Sequence, residues 1–480
     1  MKELLERALD TAAAAGATHA EARVVLTTNE GYEVKDGALV GAGHGAGAGL
    51  GVRVIADGAW GFAALQDLSR DGADRAARRA VDVARASATA AKEPVVLADA
   101  PTVEGTYATP CEIDPLAVPV EEKIDLLLSA ERAMHDRPKV KITQASLMIL
   151  RKQTLFANSE GSRYDQTIYE CGGGIYATAV ANGESQVRSY PNSFGGNVAA
   201  AGFEYVRSLD LEREAPRVAE EAEALLSAPT CPSGRRDIII GPKHLGLQIH
   251  ESIGHPIELD RVFGTEAAFA GTSFLTTDKL GGFRYGSEHV NIVADATVPG
   301  ALGTFGWDDE GVPARRVPII DRGMFVGYIS DRESAARLGL ASSGAARADG
   351  YGAIPLVRMT NINLLPGRWD YDDLLADTDG GLFFETTRSW SIDDRRINFQ
   401  FGTEVAYEIK GGKLGTLYKN PTYTGITPEF WASCDAVCDE KHWEMLGVPN
   451  CGKGEPCQSA HVGHGSAPAR FRNVQVGVVR

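Results

Sequence analysis

The sequence has no run of about 18 apolar residues, so a membrane-spanning helix is not expected. It also lacks an excess of positive charge: 48 Lys and Arg against 64 Asp and Glu leave a formal net charge of −16. Phosphate affinity comes from clustered cations, so a general nucleic-acid binder is disfavoured. Cysteine is scarce, with seven in 480 residues, an odd number. That fits a reducing cytosol and free or metal-bound thiols better than a disulfide framework. The first residues carry no secretory leader pattern, because Glu3, Glu6 and Asp10 interrupt any apolar stretch. What remains is ordinary globular composition, 44% hydrophobic and 23% charged, in a chain long enough for two or more domains.

Periodicity and turn residues divide the chain. Leu4, Leu5, Ala8 and Leu9 recur at helical spacing within residues 2–15. Residues 20–28 read as a strand. Residues 37–65 are glycine-rich, and their later part, GVRVI and WGFAAL joined through Ala56-Asp57-Gly58, reads as a hairpin. The early glycines lack the G-K-[ST] and the following helix of a phosphate loop, so a flexible loop with close strand packing is expected there. Helices are expected over about 71–88, 120–135 and 210–228, with strand-like runs between 139 and 190. Pro229, Pro232 and Gly234 mark the best boundary. The expected fold class is α+β. N-terminal helices pack on an antiparallel sheet in an N-terminal domain (1–228). A strand-rich, barrel- or sandwich-like domain (229–480) follows.

The second half opens with RRDIIIGP, a short buried strand, and Pro242 suits the first turn of a helix running to about Ile253. Residues 250–261 then read HESIGHPIELDR. A zinc peptidase helix of H-E-x-x-H type sets its histidines four apart on one face. His250 and His255 are five apart, which places them about 140° apart on a regular helix. However, Gly254 tolerates almost any backbone angle, and Pro256 pushes His255 out of the α region. A wider last turn of the π type would bring the two imidazoles back together. Glu251 beside the first histidine occupies the general-base position of such motifs. Near the end, PNCGKGEPCQSAHVGHGSAPAR crowds Cys451, Cys457, His461 and His464 into one segment, and thiolate and imidazole are preferred zinc ligands. Cys434, Cys438 and His442 fall at i, i+4 and i+8 of a possible helix; they read as core side chains, with a structural zinc as the alternative. Cys111, Cys171 and Cys231 read as small buried hydrophobes, and His244 as packing or support for the site.

In chain order, GVRVIADGAWGFAA (51–64), NSEG (158–161), HESIGHPIELDR (250–261), DDEG (308–311), RMTN (358–361) and CGK (451–453) resemble the TldD/PmbA metalloprotease family, once labelled modulators of DNA gyrase, and its catalytic TldD branch. The resemblance implies one zinc ion held by His250, His255 and Cys451, with Glu251 as the base. The family pattern has a Gln soon after C-G-K, whereas here Gly454-Glu455-Pro456-Cys457 intervenes before Gln458 and adds a second cysteine. Cys451 is taken as the ligand over Cys457. Fe²⁺ or Mn²⁺ would suit a similar site, but a thiolate favours zinc. Arg358, Asn361 and the Asp308–Glu310 cluster are expected to position substrate or loops.

The function implied is a cytoplasmic zinc-dependent endopeptidase acting on unfolded or short peptides, such as leader peptides. By the resemblance it works as a heterodimer with an inactive paralogue, or as a homodimer, with no nucleic-acid or membrane partner. Two other readings stand beside it: a non-catalytic scaffold subunit, and a regulator of DNA gyrase.

Overall fold

The structure is a computed structural model that describes residues 1–477. Its first half is built on an eight-stranded sheet. The main path runs Ala59–Leu65, Ala38–Ala56, His19–Lys35, Val140–Asn158, Arg163–Ala181 and Glu104–Ala108, and Glu184–Tyr190 and Asn197–Ala199 also pair with Arg163–Ala181. All pairings are antiparallel except that of Glu104–Ala108. The glycine-rich segment expected as a loop is the strand Ala38–Ala56, laddered along its length to His19–Lys35. The ladder supplies the order that its small side chains do not.

Alternation decides what each face of this sheet covers. Ala20, Ala22 and Val24 lie under helices Lys2–Ala14 and Arg70–Ala88. Further along the same face, Tyr32, Val34 and Leu147 lie under helices Val120–Arg132 and Leu211–Ser227. The intervening residues Glu21, Arg23 and Arg53 are buried on the other face, toward the second half of the chain. There Arg53 meets Glu310 at 2.7 Å and Arg23 meets Asp309 at 3.1 Å. Phe156, Tyr164 and Trp307 stack in succession at 4.8 and 5.2 Å between centroids. The DDEG segment therefore joins the sheet to the second half, and Asp308 accepts the backbone N–H of Glu310, Val312 and Ala346.

The second half contains a closed five-stranded barrel. Leu382–Ile392, Gly234–Ile240, Ala469–Val476, Thr422–Ile426 and Asn398–Lys410 follow one another, and the last pairs back to the first. Ile238, Ile240, Phe384, Phe401 and Tyr423 belong to its buried core. A hairpin of Glu444–Lys453 and Gln458–Ser466 lies outside the barrel and packs on the helix that follows Ile240. The possible helix across Cys434–His442 is instead the strand Cys434–Val437 followed by a single turn at Glu440–His442. Pairing with Ala469–Val476 overrides the i, i+4 pattern there. Among the described residues no helix is long and apolar enough to cross a membrane.

Candidate metal centre

The helix Pro242–Ile249 starts where the barrel strand ends, with Gly241 as N-cap and Pro242 in the first turn. It continues as a π-helical turn over His250–Gly254 and a short 3-10 turn over His255–Ile257. The π turn absorbs the extra residue of H-E-x-x-x-H and brings the two imidazoles together edge to face, 4.7 Å apart between centroids. The backbone does this without leaving helical angles: His255 sits at φ −66°, ψ −42° despite the following proline, and Gly254 is also helical. The expected loosening at these two residues is thus not what closes the gap. The preference of a pre-proline residue is a bias, and the wider turn removes the need to break the helix. Gly254 is required for space, because a Cβ there would lie 2.1 Å from Met359 Sδ.

The hairpin brings Cys451 to the same point. Donor atoms of His250, His255 and Cys451 lie within 4.8 Å of one another, and all three residues are buried. The Cys451 Sγ to His255 Nε2 distance is 3.9 Å. One zinc ion bonded at about 2.3 Å to sulfur and about 2.0 Å to nitrogen spans such a gap. Cys457 lies in the exposed turn of the hairpin. Burial pushes the Cys451 thiol up, but His255 and Arg358 outweigh it and hold the thiol below its usual range. Burial lowers both ligand imidazoles, which favours the neutral, metal-binding form.

Each imidazole is oriented through its other nitrogen. His255 Nδ1 donates to Glu258 at 3.1 Å, leaving Nε2 toward Cys451. Burial works against the Glu258 charge, yet Lys453, Arg261 and His255 hold it well below the usual carboxylate range. His250 Nδ1 lies 2.7 Å from His464 Nε2, and His464 Nδ1 lies 3.3 Å from the Ile362 carbonyl. The carbonyl can only accept, so His464 Nδ1 donates and its Nε2 accepts from His250. His250 Nε2 is left for a metal. Burial and His250 keep His464 neutral, as this chain requires.

Glu251 lines the same cavity, of about 380 Å³, as His250, His255 and Cys451. Its carboxylate accepts from Arg396 at 2.6 Å. Arg358 and Asn361 do not line this cavity. Arg358 donates to the carbonyls of Gln458 and Cys451, bracing the hairpin behind the thiol. Asn361 binds the Asp295 carbonyl at 2.7 Å and the Gly303 N–H at 2.8 Å. His244 is held by Thr387 and Tyr423 inside the barrel core. Cys171 and Cys231 are buried, whereas Cys111 is partly exposed. Among the described residues the His250–His255–Cys451 group is the one such cluster with metal-ligand spacing.

Several supporting residues escaped the sequence reading. Glu258 and Arg261 stand three and six places after His255, and the i, i+3 spacing from His255 is the one local signal for Glu258. Lys453 belongs to the C-G-K segment, and its Nζ reaches Asp260 at 2.7 Å and Glu258 at 3.4 Å. His464 carries only the weak signal of lying in a Cys- and His-rich segment. Arg396 had no local signal, since it sits on a distant barrel loop.

The centre offers a mixed nitrogen and sulfur donor set suited to one zinc ion. Residues 233–478 match the PmbA/TldA metallopeptidase C-terminal domain, 20–84 match domain 1 and 113–227 match the central domain; the chain belongs to this family. It is 32% identical over 454 residues to a protein named as a metalloprotease from Methanocaldococcus jannaschii, covering 94% of this chain and 95% of that one. It is 27% identical to a metalloprotease TldD homolog from Haemophilus influenzae, covering 94% and 91%. In fold it is similar to TldE from Thermococcus kodakarensis, with a TM-score of 0.73 at 16% identity, covering 99% and 100%. A Thermotoga maritima protein described as a candidate modulator of a DNA gyrase gives 0.76 at 18% identity, covering 99% and 100%.

Proposed function

We propose that this chain is a zinc-dependent endopeptidase that cleaves unfolded or short peptides. The observation that carries the reading is the convergence of His250, His255 and Cys451 on a cavity wall shared with Glu251. When bound there, Zn²⁺ acidifies a water and polarises a carbonyl oxygen. Glu251 takes the proton from the attacking water at its carboxylate and returns it to the leaving amine. Arg396, 2.6 Å away, anchors that carboxylate. Its Nε is buried with no partner among the described residues, a donor left over beside the cavity. Glu258 and His464 hold the two imidazoles in their ligand tautomers, and Arg358 fixes the hairpin that carries the thiolate. The cavity lies between the first sheet and the barrel half, so an extended chain has backbone on both sides. A second chain, an inactive paralogue or another copy, belongs to this reading as the closing wall of the chamber.

Glu251→Gln tests it. The variant is expected to keep its metal, measured by elemental analysis, and to lose peptide cleavage by about 10²–10⁴-fold. Cleavage at the wild-type rate would remove Glu251 from the base role. A zinc-loaded wild-type protein that cleaves no unfolded peptide would leave the scaffold reading.

A further inference from the structure

The cavity that holds the metal ligands also carries features that the proposed chemistry does not use. Phe194 is 63% exposed and Trp390 is 43% exposed, and their rings meet edge to face at 5.6 Å between centroids. Both line the cavity that holds His250 and Glu251. Phe194 comes from the loop between two strands of the first sheet, and Trp390 from the barrel strand Leu382–Ile392. Two exposed aromatic rings from different halves of the molecule thus face each other at the site.

The loop that presents Phe194 is held in a costly conformation. Phe194 has φ 56°, in the left-handed region, and Gly195 and Gly196 follow at 94° and 93°. A bulky residue there is a true outlier, costing about 1–3 kcal/mol, and such strain collects at ligand sites. Gly196 packs directly on the neighbouring strand, where a Cβ would lie 1.9 Å from the Gly173 carbonyl oxygen. The two preceding residues, Asn192 and Ser193, also line the cavity and are 7% and 8% exposed. Their Asn192 Oδ1 and Ser193 Oγ are buried without a hydrogen-bond partner among the described residues. Buried polar atoms are rarely left so, and two adjacent ones on a ligand cavity call for a ligand that supplies the partners.

We propose that Asn192, Ser193, Phe194 and Trp390 form a substrate subsite for a large apolar side chain, aromatic or leucine-like, on an extended peptide. The Phe194–Trp390 pair packs the side chain. Asn192 Oδ1 accepts a backbone N–H of the same peptide, and Ser193 Oγ donates to a backbone carbonyl. Met148, Val198, Leu446 and Val448 complete an apolar lining beside the metal centre. The inference rests on the peptidase reading for its substrate class.

The test uses the full-length, zinc-loaded protein and two fluorescent peptides that differ only in carrying Phe or Gly at one central position. Both binding, by polarisation, and cleavage are read. Wild type is expected to favour the Phe peptide, and Phe194→Ala or Trp390→Ala to erase that preference by about tenfold, with the Gly peptide unaffected. Phe194→Gly removes ring and strain together, so its Tm is expected to equal or exceed wild type while selectivity is lost. Asn192→Ala with Ser193→Ala is expected to weaken both peptides equally. Cleavage without any Phe preference, or Phe194→Ala changing only the oligomeric state, overturns the subsite and leaves the peptidase reading intact. Phe194-dependent binding without cleavage keeps the subsite and overturns the peptidase reading.

Discussion

Two groups of cysteine and histidine offer the same residue types and behave differently as structure. In one, Cys451 meets His250 and His255. In the other, Cys434, Cys438 and His442 stay apart as potential ligands. Cys434 and Cys438 are buried, and burial pushes each thiol up to about 12. His442 turns to Asp370 and Tyr371 at the surface. Cys451 is equally buried, yet Arg358 and His255 pull its thiol down. The difference lies less in residue type than in charged neighbours and in aim. One set is backed by Glu258, Arg261, Lys453 and His464; in the other, Cys434 and Cys438 have only apolar core around them and His442 faces the surface.

The largest expected effect follows directly. Cys451→Ala or His255→Ala is expected to abolish stoichiometric zinc, while Cys434→Ala and Cys438→Ala retain it, as read by metal-to-protein ratio. Loss of zinc from the Cys438 variant would break the contrast. Next, His464→Ala removes the acceptor for His250 without removing a ligand. Zinc affinity, measured by competition with a chelator, is expected to fall about 10–100-fold; an unchanged affinity would show that His464 only fills space.

A smaller effect concerns the π turn. Gly254→Ala puts a methyl group against Met359 Sδ, and overpacking of this kind costs about 1–3 kcal/mol in urea unfolding. Combining it with Met359→Ala is expected to recover part of the loss, which an unrelated backbone effect would not allow. The smallest sharpens the lesson about charge support at the junction of the two halves. There Arg53 faces both Glu21 and Glu310. Burial raises the Glu310 carboxyl to about 7 against the pull of Arg53, with Asp331 and Glu21 adding to the rise. In the unfolded chain it titrates near 4.3. The folded protein therefore holds a proton that the unfolded chain releases, so this contribution is complete below about pH 4.3 and lost by about pH 7. Glu310→Gln is expected to flatten the decline of Tm between about pH 5 and 7. An unaltered slope would assign the decline to other groups.

The helices were legible because their apolar residues recur at one spacing, as Leu5, Ala8, Leu9 and Ala12 do beneath the first sheet. The wider turn at His250 was legible too, since a five-residue gap between two potential ligands admits few geometries. The glycine-rich strand at 38–56 was not, because its order comes from a partner strand and not from its own side chains. The strand at Cys434 was hidden for the same reason. Arg396, Phe194 and Trp390 carried no local pattern at all.

The residues alone determined the candidate donors, their chemistry and the need for a widened turn, because spacing along one helix is a local property. Only the tertiary structure decided which histidine supports them and which arginine holds Glu251, and it places beside them the thiol that the family resemblance had singled out, Cys451. Those choices depend on the barrel strand, the hairpin and the first sheet arriving at one cavity, and contacts between segments hundreds of residues apart leave no trace in local periodicity.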